Sequence, residues 1–248
     1  MDKSESLASL KMIIEAEGVD YQKSSAFQGV LFEKMDSNFA EQMHRQSMHP
    51  YSQYLIKEDN KLIWTVNTTS NQAYESIIEK IKDNDFSGFT LRHGNIEVKI
   101  LEKHEKKKSY EELLKDFYDK KCDRKINVEI LTLCSFKQKG KYIVVPDLRL
   151  VFQSLMMKYS IISSNDNMID EETLEEIVDC SLITKYRLKT ALFPLEGQHI
   201  PGYMGNLTIT FTGTETLARY ARLLLQFGEY SGIGVKTGMG MGAIRIGG

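Results

Sequence analysis

Apolar residues along this chain switch repeatedly between two spacings, and the switches predict its elements. Ser6–Ala16 reads as a first strand. From Ser24 to Arg45 the apolar positions Phe27, Val30, Leu31 and Met35 fall three, one and four apart, which is one face of a helix. Tyr51–Ile56 and then Leu62, Trp64 and Val66 form two strands around a turn at Glu58, Asp59 and Asn60. Ala73, Ile77 and Ile81 give a second helix, and Ile96, Val98 and Ile100 a strand of period two.

A charged stretch follows. Lys99–Lys125 holds ten cations and seven acids around Leu113, Leu114 and Phe117 and is expected to be an exposed linking helix, since alternating signs cancel locally. Beyond it the order starts again. Ile126, Val128, Ile130, Thr132 and Cys134 alternate as a strand, and Leu148–Tyr159 reads as a helix. Asp170 stands where it can cap a short helix carrying Leu174, Ile177 and Val178. Tyr186–Leu192 and Leu207–Phe211 make a strand pair, Leu217, Ala221, Leu224 and Gly228 a helix, and Ala243–Ile246 a last strand. Both halves fit the β-α-β-β-α-β order. The expected class is therefore α+β, with two tandem ferredoxin-like domains built on antiparallel sheets, divided as residues 1–122 and 123–248.

The composition of the 248 residues is that of a globular protein: 42% hydrophobic, 27% charged and only four prolines. No apolar run approaches the roughly 18 to 20 residues that span a bilayer, and MDKSESLASLKM lacks the apolar core of a signal peptide, so a cytoplasmic protein without a membrane partner is expected. Cys122, Cys134 and Cys180 are odd in number and lie far from C-x-x-C spacing, which suggests neither a disulfide framework nor a zinc site. The formal net charge of -2 conceals a segregation. Residues 181–248 hold seven cations against three acids, and 12 of the 17 glycines lie from Gly197 onward. A basic, glycine-rich end on an acidic remainder points to a local anion-binding surface.

That surface has a centre in the sequence. Glycine recurs at Gly232, Gly234, Gly238, Gly240 and Gly242, a density that the entropic cost of glycine disfavours in a helix or strand. Such a backbone can lie close to a ligand and turn successive N–H groups on a phosphate, with Lys236 adding a charge and Thr237 a hydroxyl. The alternative is a loop packed tightly against the preceding helix with no ligand. A nucleoside-triphosphate loop is disfavoured by order: no glycine precedes Lys236 directly, and the segment runs from a helix into a strand. Lys185, Arg187 and Lys189 alternate with Tyr186 and Leu188, placing three cations on one strand face, where they can follow an RNA backbone or simply deter edge pairing.

The ending GIGVKTGMGMGAIRI, preceded by PGYMGNLTITF at Pro201–Phe211, resembles the C-terminal signature of the CRISPR-associated endoribonucleases of the RAMP superfamily, which cut precursor CRISPR RNA within its repeats. The resemblance implies two ferredoxin-like domains, a repeat-RNA partner, and RNA binding by Gly232, Gly234, Lys236, Thr237, Gly238, Gly240 and Gly242. It also implies a catalytic histidine at the end of the first long helix, before an aromatic residue and a serine. His44 fits by its place before Pro50, Tyr51 and Ser52, with His49 in reserve and Tyr51 a further catalytic candidate. No cofactor or metal is implied, and His93, His104 and His199 receive no role. An imidazole near its reference pKa can take the proton from a ribose 2′-OH or give one to the 5′-oxygen, so the expected products are a 2′,3′-cyclic phosphate and a 5′-hydroxyl. Arg45, Ser52 and Lys57 are local candidates for the phosphorane charge. The rival reading is a noncatalytic RNA-binding subunit of a CRISPR effector complex, with other effector proteins as candidate partners; either form is expected as a monomer or homodimer.

Overall fold

The computed structural model describes residues 5–92, 94–119, 123–163, 169–195 and 197–247; His93 and Cys122 lie outside the described residues. The first half contains β1 (Ser6–Glu15), α1 (Ser24–Lys34), α2 (Ser37–Arg45), β2 (Tyr51–Glu58) and β3 (Lys61–Thr68). A helical segment follows, made of α3 (Asn71–Ala73), a π turn (Tyr74–Ile78) and α4 (Glu79–Ile81), and then β4 (Gly88–Leu91) and β5 (Ile96–Ser109). The sheet order is β2-β3-β1-β5-β4 with every pair antiparallel. Leaving out β4, this is the order of the ferredoxin-like unit. Leu10, Met12 and Ile14 on one face of β1 pack with Phe27, Leu31, Trp64 and Ile77 in the first core.

The second half repeats the arrangement. It is preceded by α5 (Tyr110–Asp119), which lies before the expected division at residue 122 yet packs in the second core, and runs through β6 (Lys125–Cys134), a small hairpin of β7 (Phe136–Gln138) and β8 (Lys141–Ile143), α6 (Leu148–Ser163) and α7 (Glu171–Asp179). The long hairpin β9 (Ser181–Leu195) and β10 (Gln198–Phe211), α8 (Glu215–Ser231) and β11 (Ile244–Gly247) complete it. Its sheet order, β11-β6-β10-β9, matches that of the first half strand for strand. Val128, Phe152, Phe211, Leu224 and Phe227 fill the second core. Among the described residues no helix is long and apolar enough to cross a membrane.

Two expected elements differ. The helix read over Ser24–Arg45 is broken at Met35, whose ψ of 152° is extended. Asp36, Ser37 and Asn38 are residue types that favour starting a helix over continuing one, and the break leaves Met35, Phe39 and Met43 all buried. The linking helix over Lys99–Lys125 is strand for its first half. β5 pairs with β1 from Ser6↔Ser109 to Ile13↔Glu102, so its charges alternate between the faces of a sheet. On the helix-covered face, Lys107 Nζ lies 3.3 Å from the centroid of Tyr74 and Lys103 Nζ 5.3 Å from that of Phe86. What remains helical, α5, carries Tyr110 and Leu113 into the second core.

Candidate active site

Edge strand β2 is where the two halves meet. Ser52 and Gln53 are adjacent in it and point to opposite faces, and each grips the second half. Ser52 Oγ donates to the carbonyl of Tyr230, 2.7 Å away at the end of α8. Gln53 is fully buried; its Nε2 donates to the carbonyls of Ser24 at 2.8 Å and Gly238 at 3.2 Å, and its Oε1 accepts from Trp64 Nε1. The edge of the first sheet is thus held between the end of α8 and the glycine segment that follows it.

The glycines explain how close this contact is. A Cβ on Gly240 would sit 2.2 Å from Ser24 Cβ, and one on Gly238 3.2 Å from both Gln28 Nε2 and the Tyr51 hydroxyl. Most amides of the segment already have acceptors within the protein: Ile233 donates to Gly242, Gly234 to Ser154 Oγ, Val235 to Ser135, Met239 and Met241 to Lys236, and Gly242 to Leu133. Gly232, Gly238, Gly240 and Gly242 are buried. The expected run of N–H groups facing one anion is therefore largely engaged inside the protein, and most of these glycines serve close packing. Lys236 is the exposed tip, held in the left-handed region at φ 59° and ψ 32°, where a residue with a Cβ is uncommon.

Beside that tip lies a cavity of about 660 Å³ whose lining includes Gln28, His49, Ser154, Lys158, Lys236 and Thr237. His49 follows the end of α2. Its Nε2 lies 2.9 Å from the carbonyl of Met43, which the neutral ring satisfies as the Nε2–H tautomer, and its ring stacks on Tyr51 with centroids 5.3 Å apart. Burial pushes the His49 pKa below its ordinary value, the nearby Lys236 and His44 charges add to this, and the carbonyls of Met43 and Gln46 oppose it. His44 sits at the end of α2, exposed, stacked on Phe32 at 4.6 Å and outside the cavity lining. Tyr51 is fully buried, with Gln28 Nε2 donating to its hydroxyl at 2.9 Å, and burial raises its pKa to about 12. It is the floor beneath His49, facing away from solvent.

The structure thus brings His49, Lys236, Thr237, Gly234 and Gly238 to one cavity. Lys185, Arg187 and Lys189 stand elsewhere, exposed on one face of edge strand β9, where they pair with Thr208, Asn206 and Met204. Lys189 lines a separate groove of about 890 Å³ between the two sheets.

Sequence reasoning missed Gln53 and Lys158. Gln53 had a signal: it shares a face with Tyr51 and Leu55, so it is a polar residue at a core position. Lys158 donates to the carbonyls of Ser231 and Gly232 at 3.2 and 2.9 Å, and Ser154, one turn earlier in α6, accepts from Gly234. Burial of the amine lowers the Lys158 pKa to about 7, opposed by its interaction with Cys134.

Comparison with known proteins gives the family. Residues 128–244 match the family model of the CRISPR-associated endoribonuclease Cas6. The chain is 36% identical over 219 residues to the CRISPR-associated endoribonuclease Cas6 of Mycobacterium tuberculosis, covering 88% of this chain and 69% of that one. It is 33% identical over 226 residues to the Cas6 of Streptococcus thermophilus, covering 89% of each. In fold it superposes on a Cas6 product complex with a TM-score of 0.80 at 21% identity, over 98% of this chain and 100% of that one. With 88–89% of the chain aligned to these relatives and the glycine segment inside the matched region, the chain belongs to the CRISPR-associated endoribonuclease Cas6 family and is an endoribonuclease of precursor CRISPR RNA processing.

Proposed function

We propose that this endoribonuclease cuts repeat RNA by attack of a ribose 2′-oxygen on the adjoining phosphorus, with His49 carrying the proton. The observation that supports this reading is that the His49 imidazole and the Lys236 ammonium border one cavity. A ring whose pKa lies below its ordinary value is mostly neutral at pH 7 and accepts the 2′-OH proton. As the P–O5′ bond breaks, the His49 imidazolium gives that proton up to the 5′-oxygen, which leaves a 2′,3′-cyclic phosphate, a 5′-hydroxyl and a neutral ring. Lys236 offsets the charge that gathers on the phosphorane oxygens. Thr237 and the amides around it position the phosphate, and the β9 row of Lys185, Arg187 and Lys189 attracts the RNA backbone beyond. The partner is repeat RNA and the setting the cytoplasm.

His44, the candidate placed first by sequence, is exposed and does not line the cavity, which supports giving the role to His49 instead. In single-turnover cleavage of a labelled repeat RNA with EDTA present, His49→Ala is expected to lower the rate by about 10²- to 10⁴-fold. His44→Ala should leave it within about threefold, because imidazole assistance of that size needs hydrogen-bond reach. The opposite pattern would return the role to His44, and an activity lost to EDTA would sink the metal-independent mechanism.

A further inference from the structure

A second cavity, of about 430 Å³, opens on the other side of Lys236. Its lining is Lys137, Tyr142, Leu195, Gln198 and Ile200, with Val235 and Lys236. Lys137, Val235 and Lys236 also line the His49 cavity, so the two spaces share a wall that carries two ammonium groups. We propose that this second cavity seats the base of a nucleotide adjoining the cleaved phosphate, with Tyr142 as its stacking platform and Gln198 reading its edge. The proposal rests on the reading of the His49 cavity as the place of cleavage.

Three parts of the second half build the seat: the β7–β8 hairpin, in which Lys137 pairs with Tyr142; the tip of the β9–β10 hairpin, in which Leu195 pairs with Gln198; and the glycine segment. Leu195 and Ile200 are buried, and Tyr142 packs against the small apolar cluster to which they belong, so the ring is backed by a dry wall. Among the described residues the lining contains no carboxylate, and the charges it carries, Lys137 and Lys236, are positive. A nucleotide matches each feature. Every base has a π-face for an aromatic ring, a base edge offers a donor and acceptor to a primary amide, and the phosphate falls at the shared wall. The volume is in the range of small-ligand sites. Lys137 Nζ stands 5.6 Å from the Tyr142 centroid, where an arriving base displaces it and its long side chain turns to the phosphate.

The test uses a synthetic RNA with the repeat sequence of the CRISPR array nearest the gene, made uncleavable by a 2′-deoxy group at the cleaved nucleotide. Tyr142→Ala is expected to weaken binding on the order of tenfold, and Tyr142→Phe to bind as the native protein does. An abasic substitution at one of the two nucleotides flanking the phosphate should weaken native binding similarly and have no further effect on Tyr142→Ala, since the two changes remove one contact. Gln198→Ala, at an exposed residue, should reduce discrimination among bases at that same position, and it tests the seat even if Tyr142→Ala fails to fold. Additive losses at both flanking positions, or unchanged base discrimination in Gln198→Ala, would overturn the seat. Parallel cleavage assays on His49→Ala separate the two ideas: retained cleavage sinks the acid–base reading, whereas lost cleavage with additive binding losses sinks the seat alone.

Discussion

The two halves share one strand order and differ in the connection from the second helix to the last strand. In the first half, the chain leaves α4 at Ile81, lays β4 beside β5 and so extends its own sheet. In the second, α8 ends at Ser231, and the segment before β11 docks on α1 and β2 of the other half. One topological slot enlarges a sheet in one copy and joins the copies in the other. The comparison teaches that the 660 Å³ cavity belongs to neither half: His49 reaches it from the connection before β2, and Lys236 from the connection before β11.

If that docking sets the difference, breaking it should cost more than an equal change elsewhere. Gly240→Ala puts a Cβ into Ser24 at a φ of 108° and is expected to destabilise by about 2–4 kcal/mol, combining backbone strain with overpacking. Gly18→Ala, in the first half, also has a positive φ of 66° but nothing within 4 Å of the added Cβ, so it should cost only about 1–2 kcal/mol and spare cleavage. Urea unfolding of the two variants checks the contrast. Equal losses would mean that the glycines answer to backbone conformation alone.

Next in size is the grip of β2. Gln53→Met strands the carbonyls of Ser24 and Gly238 and the Trp64 indole N–H, with an expected loss of about 1–3 kcal/mol and a slower single-turnover rate. Ser52→Ala breaks a contact to the same half from the opposite face of the strand. It should lower stability while leaving the rate near native, because Tyr230 does not line the His49 cavity. A rate that falls equally in both variants would show that the grip matters only for holding the halves together.

Much of this architecture is legible in the sequence. Periodicity reports local structure, so the doubled unit was legible from alternation in β1, β2, β3 and β6 and from the helical spacing of α8. Charge obscured the later part of β5, beyond Ile100, because a row of mixed Lys and Glu carries no hydrophobic signal even when one face of it covers Tyr74 and Phe86. The glycine segment was legible as special but not in its reason: glycine permits both an anion nest and the close approach of another chain segment, and only the position of Ser24 tells them apart. Which of His44 and His49 borders the cavity was beyond sequence, since a break in the helix at Met35 and a few residues of loop decide which ring turns inward.

A third contrast concerns proton binding at the base of the segment. Lys158 has a folded pKa of about 7, well below the ordinary lysine value expected when unfolded. Between those values the unfolded chain holds the proton that the folded one lacks, so this group makes stability rise as pH rises through the window, by up to about 1.4 kcal/mol per pH unit. Below pH 7 both states hold the proton and its contribution is flat. Lys158→Met should remove that slope in unfolding measured from pH 7 to 10, and an unchanged slope would show that the amine keeps its proton when folded.

The smallest expected effect is the most discriminating. Lys236 occupies a left-handed conformation that glycine adopts without strain, beside neighbours that are glycine for reasons of packing. If this position served only the docking of the second half on the first, glycine would be the better residue there. Lys236→Gly should therefore stabilise the fold, or leave it unchanged, by relieving about 1 kcal/mol of backbone strain set against the added freedom of the unfolded chain. The same change removes the cation beside His49, so cleavage should slow and the His49 limb of the pH–rate profile should move upward toward the ordinary imidazole value, because the Lys236 charge helps to hold it down. A variant that gains stability while losing rate places Lys236 in the chemistry. One that loses stability, with its pH profile unmoved, assigns it to the packing.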